Sequence, residues 1–188
     1  MLVIVNKRRF CTAVTITAIV IISLVVALIM PPVTKAVYPL KYERLILSHS
    51  SEYDLDPYLI MGIISAESQF EADAISHKDA MGLMQIKEET AKWCIDHFEL
   101  DADIRDIYEP DTNIMIGCAY IDYLTDMFEG KTDVAIAAYN AGQGNVKKWL
   151  SDNRYSDDGK TLKNIPFDET EKYVKKVRNR EKIYRDLY

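Results

Sequence analysis

The chain has 188 residues, a length that accommodates one compact domain and a short additional segment. Its 29 acidic residues outnumber its 23 lysines and arginines, and the resulting formal charge of -6 argues against a protein that binds a nucleic-acid backbone. Three cysteines are too few for a disulfide-built scaffold, and 48% hydrophobic residues suffice for a packed core, which argues against a disordered chain.

The charges are unevenly distributed along the chain. Residues 1–40 contain no Asp or Glu, so all 29 acidic residues follow Leu40. This asymmetry predicts two parts: an N-terminal segment, and an acidic domain over residues 41–188.

Residues 10–30 form an uncharged run of 21 residues, mostly Ile, Val, Leu and Ala. About 20 helical residues cross the roughly 30 Å hydrocarbon layer of a membrane, so the run predicts a transmembrane anchor. Lys7, Arg8 and Arg9 precede it directly. Basic residues at that position hold the N-terminus, residues 1–9, in the cytoplasm and place the rest of the chain outside.

A cleaved signal peptide is the alternative interpretation of this segment. Its apolar core is usually about 7–15 residues long and is followed by a site resembling Ala-x-Ala. Here the core is longer, Pro31 and Pro32 follow it, and residues 34–36 make a poor cleavage site. These features favour an uncleaved anchor, with residues 31–40 as a short stem. A buried helix of a soluble protein is the third interpretation.

Helical periodicity dominates residues 41–188, whereas alternating strand patterns are nearly absent, so the predicted fold is mainly α. Residues 69–86 are less regular and predict turns or short strands. Four helices follow from these patterns. The first has Tyr42, Leu45, Ile46 and His49 on one face, and the second is capped by Asp111 or Thr112 and ends at Gly130. The third is short, from Asp133 to Ala141, and is stopped by Gly142, and the C-terminal helix opens with a capping box of Asp168 and Glu171.

One further helix places a carboxyl group where a core residue is expected. Residues 56–57, Asp-Pro, are a strong helix start, and the apolar stripe that follows is Ile60, Ile63 and Ile64. The next position on that stripe is Glu67, near the helix C-terminus. Burial and the helix dipole would both raise its pKa, and a carboxyl that stays protonated near neutral pH is a candidate general acid. In the other interpretation, Glu67 leaves the stripe and points into water.

Five ordered segments decide between these two interpretations. They are ESQF at 67–70, Ser76, GLMQI at 82–86, AAYNAG at 137–142 and IPFDETEKYV at 165–174. In this order and spacing they resemble the catalytic domain of the lytic transglycosylases of the soluble-lytic-transglycosylase (SLT) type, over roughly residues 42–180. The resemblance implies a lysozyme-like, mostly helical α+β domain that cleaves the glycan strands of peptidoglycan without a cofactor or a metal ion.

The resemblance also implies roles for individual residues. Glu67 corresponds to the single catalytic acid and base. The residues that correspond to substrate-binding positions are Ser68, Ser76, Met84, Gln85, Tyr139, Asn140, Glu169 and Tyr173. Each has a structural alternative: Met84 as a core residue, Tyr139 as a packed aromatic, or Glu169 as a charge favoured by a helix start.

The sequence departs from the family pattern at four places. The family commonly has Gly where Asp79 stands, Asn-Pro at residues 71–72, Pro where Gln143 stands and Arg where Glu171 stands. These departures leave the chemistry intact and concern the contacts to sugar or peptide.

The family resemblance implies that Glu67 protonates the glycosidic oxygen and that the sugar's own C6 hydroxyl then closes on C1. Two other functions remain open: a hydrolase of the goose-lysozyme kind, and a glycan-binding scaffold without activity. A hydrolase would add water to the product, and a scaffold would have no need for a desolvated acid.

Two cysteines of the predicted external domain, Cys94 and Cys118, allow one disulfide between two helices. Cys94, His97 and Cys118 are only three candidate ligands, too few for a metal site, and the acidic residues at 101–106 lack the glycine and glutamate of a calcium loop. We interpret His49 as a core histidine.

Overall fold

The computed structural model describes the backbone of residues 7–188 and the side chains of residues 14–25 and 34–188. The chain divides into two compact units, which separate between Pro39 and Leu40. The described residues of the N-terminal unit include the helix α1, Lys7–Val37. Its described aliphatic side chains are exposed, for example Ile16 and Leu24 at 62% each.

The predicted anchor falls only partly within the described residues. Side chains 10–13 and 26–30 lie outside them, as do residues 1–6 of the predicted cytoplasmic segment. Judged on the described residues alone, no helix combines the length and the apolarity that a membrane crossing requires.

The second unit is mainly helical, as predicted from its periodicity. Its helices are α2 (Glu43–Glu52), α3 (Pro57–Glu67), α4 (Glu88–His97), α5 (Pro110–Met127), α6 (Thr132–Ala141), α7 (Gln143–Leu150) and α8 (Asp168–Leu187), with a 3₁₀ turn at Ile104–Asp106. Within this unit, α5 packs against α2, α4 and α6, α6 packs against α7, and α2 also packs against α3.

The irregular stretch predicted at residues 69–86 contains a small sheet. Strands β1 (Ala80–Met81) and β2 (Ile86–Lys87) pair antiparallel, with Ala80 opposite Lys87. Ile75 adds an isolated bridge to Met81. The prediction of turns and short strands is therefore confirmed.

Helix α3 lies in the core of this unit. Asp56 caps it by accepting a 3.0 Å hydrogen bond from the Tyr58 N–H, as the sequence predicted. All residues from Leu59 to Ala66 are buried. The backbone of α8 approaches α3 at Gly62, where an added Cβ would lie 2.9 Å from the Val177 carbonyl oxygen. The glycine therefore permits a close crossing that a side chain would obstruct.

The predicted caps of two other helices are wrong. Helix α5 begins one residue before Asp111, with Glu109 at the cap position and no side-chain capping bond. The Asp111 carboxylate instead lies 2.8 Å from His49 Nε2, so this side chain bridges α5 and α2 and does not cap α5. Helix α8 begins at Asp168 itself, with Phe167 at the cap position.

A buried asparagine joins the sheet to the helical core. Asn113 on α5 has no exposed surface. Its Oδ1 accepts from the Met84 N–H at 2.8 Å, and its Nδ2 donates to the carbonyls of Met81 and Ile107 at 3.1 and 2.8 Å. One side chain therefore satisfies three backbone groups around the β1–β2 turn.

We expect Asn113→Ala to lower the free energy of unfolding by about 3 kcal/mol, because three partly or fully buried backbone groups lose their partner. The matched control is Asn145→Ala, which removes a single bond to the Ala141 carbonyl, and its expected cost is about 1 kcal/mol. Urea unfolding of both variants measures the difference. Equal losses would show that Asn113 does not hold the turn.

Candidate active site

Glu67 is the last residue of α3 and lies at the end of its apolar stripe. Ile60, Ile63 and Ile64 have no exposed surface, as the stripe predicted. The Glu67 carboxyl is partly buried, and its Oε1 accepts a hydrogen bond of 2.6 Å from the hydroxyl of Tyr173 on α8. The side chain therefore does not splay into bulk water, and the interpretation that it leaves the stripe is wrong.

Burial raises the pKa of Glu67 from its ordinary value to about 7. Desolvation is the main cause, because it disfavours the carboxylate form. The hydrogen bond from Tyr173 and the positive charge of Lys176 act in the opposite direction and lower the pKa. At neutral pH a large fraction of this group therefore carries a proton that it can donate.

Lys176 is a residue that the sequence analysis missed. Its Nζ donates to the Ala66 carbonyl at 2.5 Å, across 110 residues of chain. This ammonium group satisfies one carbonyl at the C-terminus of α3 and stands beside the adjoining Glu67. Its position on α8 follows the helical repeat from Tyr173, but nothing in the sequence pairs α8 with α3.

A cleft of about 350 Å³ opens beside Glu67. Six of the nine predicted catalytic and substrate-binding residues line it: Glu67, Ser76, Gln85, Tyr139, Asn140 and Glu169. The structure thus brings together side chains from α3, the sheet region, α6 and the start of α8. His77, Lys78, Lys87, Thr90 and Tyr120 also line the cleft and were missed, because no periodic pattern marks them.

Tyr139 and Asn140 are held in place by hydrogen bonds from or to neighbouring elements. The Tyr139 hydroxyl donates to the Met84 carbonyl at 2.8 Å, and burial raises its pKa well above the usual value. Asn140 Oδ1 accepts from the Thr170 hydroxyl at 2.8 Å, which ties the end of α6 to the first turn of α8. The floor of the cleft is therefore polar and preorganised.

The sheet side of the cleft is shaped by Gln85 and Ser76. The Gln85 amide donates to the carbonyls of Ala74 and Gly82 at 2.9 and 2.8 Å. The Ser76 hydroxyl accepts from two backbone N–H groups, those of Lys78 and Ala80, at 3.2 and 3.0 Å. In the structure, both side chains hold their own loop in shape beside Glu67.

The predicted substrate contacts of Met84 and Ser68 need correction. The Met84 side chain has no exposed surface and packs over Gly117, where an added Cβ would lie 2.1 Å from its sulfur. Ser68 is 8% exposed, and its hydroxyl donates to the Ile64 carbonyl at the C-terminal end of α3. Both side chains support the cleft from the core. Tyr173, also buried, reaches the site through its hydroxyl bond to Glu67.

The disulfide that Cys94 and Cys118 would allow is absent, and both are free, buried thiols. Burial raises the pKa of Cys94 to about 12, and that of Cys118 even further. Because the thiolate is the reactive form, both side chains behave as small apolar core residues. Within the part of the chain that the structure describes, no three His, Cys, Asp or Glu side chains form a group that could hold a metal ion.

A second hollow, of about 250 Å³, lies between the end of α5, α7 and the loop that follows. It contains none of the predicted site residues. The acid that lines it, Glu129, is exposed and paired with Lys160 at 2.6 Å. The hollow therefore lacks the desolvated carboxyl that distinguishes the cleft at Glu67.

We expect Tyr173→Phe to raise the pKa of Glu67 above about 7, because the lost hydrogen bond stabilises the carboxylate form. If protonated Glu67 is the reactive form, the alkaline limb of the kcat/KM profile moves to higher pH. The matched control is Tyr155→Phe, outside the cleft. A profile of Tyr173→Phe that coincides with the wild type would contradict the hydrogen bond's role.

Comparison with known proteins identifies relatives of the second unit. The family model described as the transglycosylase SLT domain matches residues 44–162. The soluble lytic murein transglycosylase of Salmonella typhimurium is 36% identical over 152 residues, which is 79% of this chain and 23% of that protein. The membrane-bound lytic murein transglycosylase C of Cronobacter sakazakii is 30% identical over 173 residues, 77% of this chain and 46% of that protein.

Solved structures give the same result. An inactive mutant of the lytic transglycosylase Slt from Pseudomonas aeruginosa has a TM-score of 0.72 at 35% identity, covering 79% of this chain and 24% of that one. A complex of the 70-kDa soluble lytic transglycosylase with bulgecin A has a TM-score of 0.74 at 30% identity, covering 82% and 25%. The chain thus spans only a minor part of these longer proteins.

Proposed function

Because the chain belongs to the transglycosylase SLT domain family, we propose that it is a peptidoglycan lytic transglycosylase. It cleaves the β-1,4 bond between N-acetylmuramic acid and N-acetylglucosamine and leaves a 1,6-anhydromuramoyl end. The observation that carries this proposal is the Glu67 carboxyl, which has a pKa of about 7, lines the cleft and is held by Tyr173. The names of the relatives, lytic murein transglycosylases, support the same activity.

In the proposed reaction, protonated Glu67 donates to the glycosidic oxygen, and positive charge develops at the muramoyl C1. The substrate's acetamido group assists by stabilising that centre. The Glu67 carboxylate then takes the proton from the C6 hydroxyl of the same sugar as its oxygen bonds to C1. The attack is intramolecular, so it needs no water molecule and no second catalytic carboxylate.

The cleft suits a single-acid route. Glu67 and Glu169 are its only lining carboxyl groups among the described residues, and Glu169 pairs with Lys78. The Tyr173 hydroxyl stabilises the carboxylate that forms after the first proton transfer. Proton donation and proton return therefore fall to one side chain.

Mass spectrometry of the sugars released from purified peptidoglycan tests this function. A transglycosylase gives anhydro ends, whereas a hydrolase of the goose-lysozyme kind gives reducing ends heavier by one water. Products with reducing ends would contradict the proposal and show that the protein is a hydrolase. Binding of the glycan without release of any sugar would show that it is a glycan-binding scaffold.

We further propose that residues 10–30 anchor the protein in the cell membrane as a single span, with the catalytic domain, residues 41–188, on the extracytoplasmic side. The uncharged run and the basic residues before it support this topology. The large aliphatic side chains described in α1, such as Ile22, are exposed, as a lipid-facing helix requires. The relative from Cronobacter sakazakii is named membrane-bound.

Carbonate extraction of membranes tests the anchor. We expect the wild type to remain in the membrane pellet and Ile22→Lys to shift toward the supernatant, because a charge at the centre of a span is costly. The matched control is Leu47→Lys, which replaces an exposed aliphatic residue of α2 and should not change the distribution. Release of the wild type by carbonate would contradict the proposed anchor.

A further inference from the structure

One cation of the cleft is not explained by the chemistry at Glu67. Lys78 lies in the loop before β1 and lines the cleft. Its Nζ lies 3.3 and 3.4 Å from the two carboxylate oxygens of Glu169, 91 residues away at the start of α8. The pair therefore joins two walls of the same cleft.

The Lys78–Glu169 pair is loose. Its distances exceed the roughly 2.7–2.9 Å typical of a strong charge-assisted bond. The side chains are 54% and 71% exposed. Exposed pairs of this kind contribute little to stability, so another carboxylate could replace Glu169 at little cost.

The backbone that carries Lys78 is nevertheless fixed. The Ser76 hydroxyl accepts from the N–H groups of Lys78 and Ala80, and the Ser76 N–H donates to the Ala80 carbonyl at 2.9 Å. Asp79 adopts a positive φ of 59° at the turn. The ammonium group therefore starts from an ordered loop, which reduces the entropy lost when it binds a ligand.

The positive charge of this wall is local. Residues 41–188 contain 19 lysines and arginines against 29 acidic residues. Yet Lys78 and Lys87 both line the cleft on the sheet side. An anionic group on a bound strand would meet favourable potential there, within a domain that otherwise repels it.

We propose that Lys78 is a specificity residue that binds a carboxylate on the substituent of the glycan strand, exchanging Glu169 for that carboxylate. In peptidoglycan such groups are the free carboxylates of the peptide stem. The inference rests on the proposed function for the class of substrate. It adds that strands with charged stems bind better than strands whose stem carboxylates have been converted to amides.

Binding of soluble glycan strands tests this inference in the full-length protein carrying Glu67→Gln, which prevents turnover. Dissociation constants are measured for strands with free stem carboxylates and for the same strands after amidation. We expect the charged strand to bind about two- to fivefold more tightly, the ratio that one exposed ion pair gives. Adding Lys78→Met should abolish that preference, and Lys78→Arg should retain it.

The matched control is Lys92→Met. Lys92 is 55% exposed, close to the 54% of Lys78, and pairs with Glu88 within α4, but it does not line the cleft. The inference is overturned if Lys78→Met weakens both strands equally, changes neither, or matches Lys92→Met. Product masses from the unmodified protein report separately on the proposed function. If the products lack anhydro ends but binding still shows a charge preference that depends on Lys78, the proposed activity is refuted and the carboxylate site is retained.

Discussion

Glu67→Gln is expected to lower the rate of glycan cleavage by about 10²–10⁴-fold, the usual contribution of a general acid. Glutamine preserves the volume of the side chain and can still accept from the Tyr173 hydroxyl, but it has no proton to transfer. Release of anhydro-ended fragments from purified peptidoglycan, followed over time, measures the loss.

The control for this variant is Glu89→Gln, which changes an exposed carboxyl on α4 that does not line the cleft. It should retain wild-type activity. Circular dichroism of both variants should match the wild type, so that a loss cannot be assigned to unfolding. Near wild-type cleavage by Glu67→Gln would end the assignment of the acid.

The second large effect concerns stability. The pKa of Glu67 is about 7 in the folded chain and 4.5 without that environment, so between these values the folded state holds a proton that the unfolded state has released. The contribution of Glu67 to the free energy of unfolding is fully present below pH 4.5 and is lost as the pH rises through about 7. The full difference corresponds to about 3 kcal/mol.

Glu67→Gln lacks this titration. We therefore expect the stability of the variant to rise relative to the wild type between pH 4.5 and 7.5, by up to about 3 kcal/mol. Urea unfolding of both proteins at several pH values measures the difference, in which the other titrating groups cancel. A difference independent of pH would show that the folded environment leaves the pKa of Glu67 unchanged.

The sequence predicts the helical part of the fold well because local periodicity and capping chemistry produce it. Asp56 and the stripe of Ile60, Ile63 and Ile64 lead directly to Glu67 on the correct face. The same local rules placed the caps of α5 and α8 wrongly. The Asp111 side chain pairs with His49, and Asp168 lies inside the first turn of α8. Short-range patterns do not record such tertiary partners.

Several contacts that complete the site depend on long-range packing. Tyr173 reaches Glu67 across 106 residues, and Lys176 reaches Ala66 across 110. Only the resemblance to a known family placed Tyr173 at the site, and nothing in the sequence indicated Lys176. The burial of Met84 likewise follows from its packing over Gly117, which a motif cannot show.

The central claim is that the carboxyl of Glu67 remains protonated up to nearly neutral pH. Its side-chain ¹³C signal, assigned by its loss in Glu67→Gln, can be titrated directly by NMR. The account predicts a midpoint at a pH of about 7. A midpoint near the ordinary value of 4.5 would contradict it, because the group would then hold almost no proton at the pH where it must donate one.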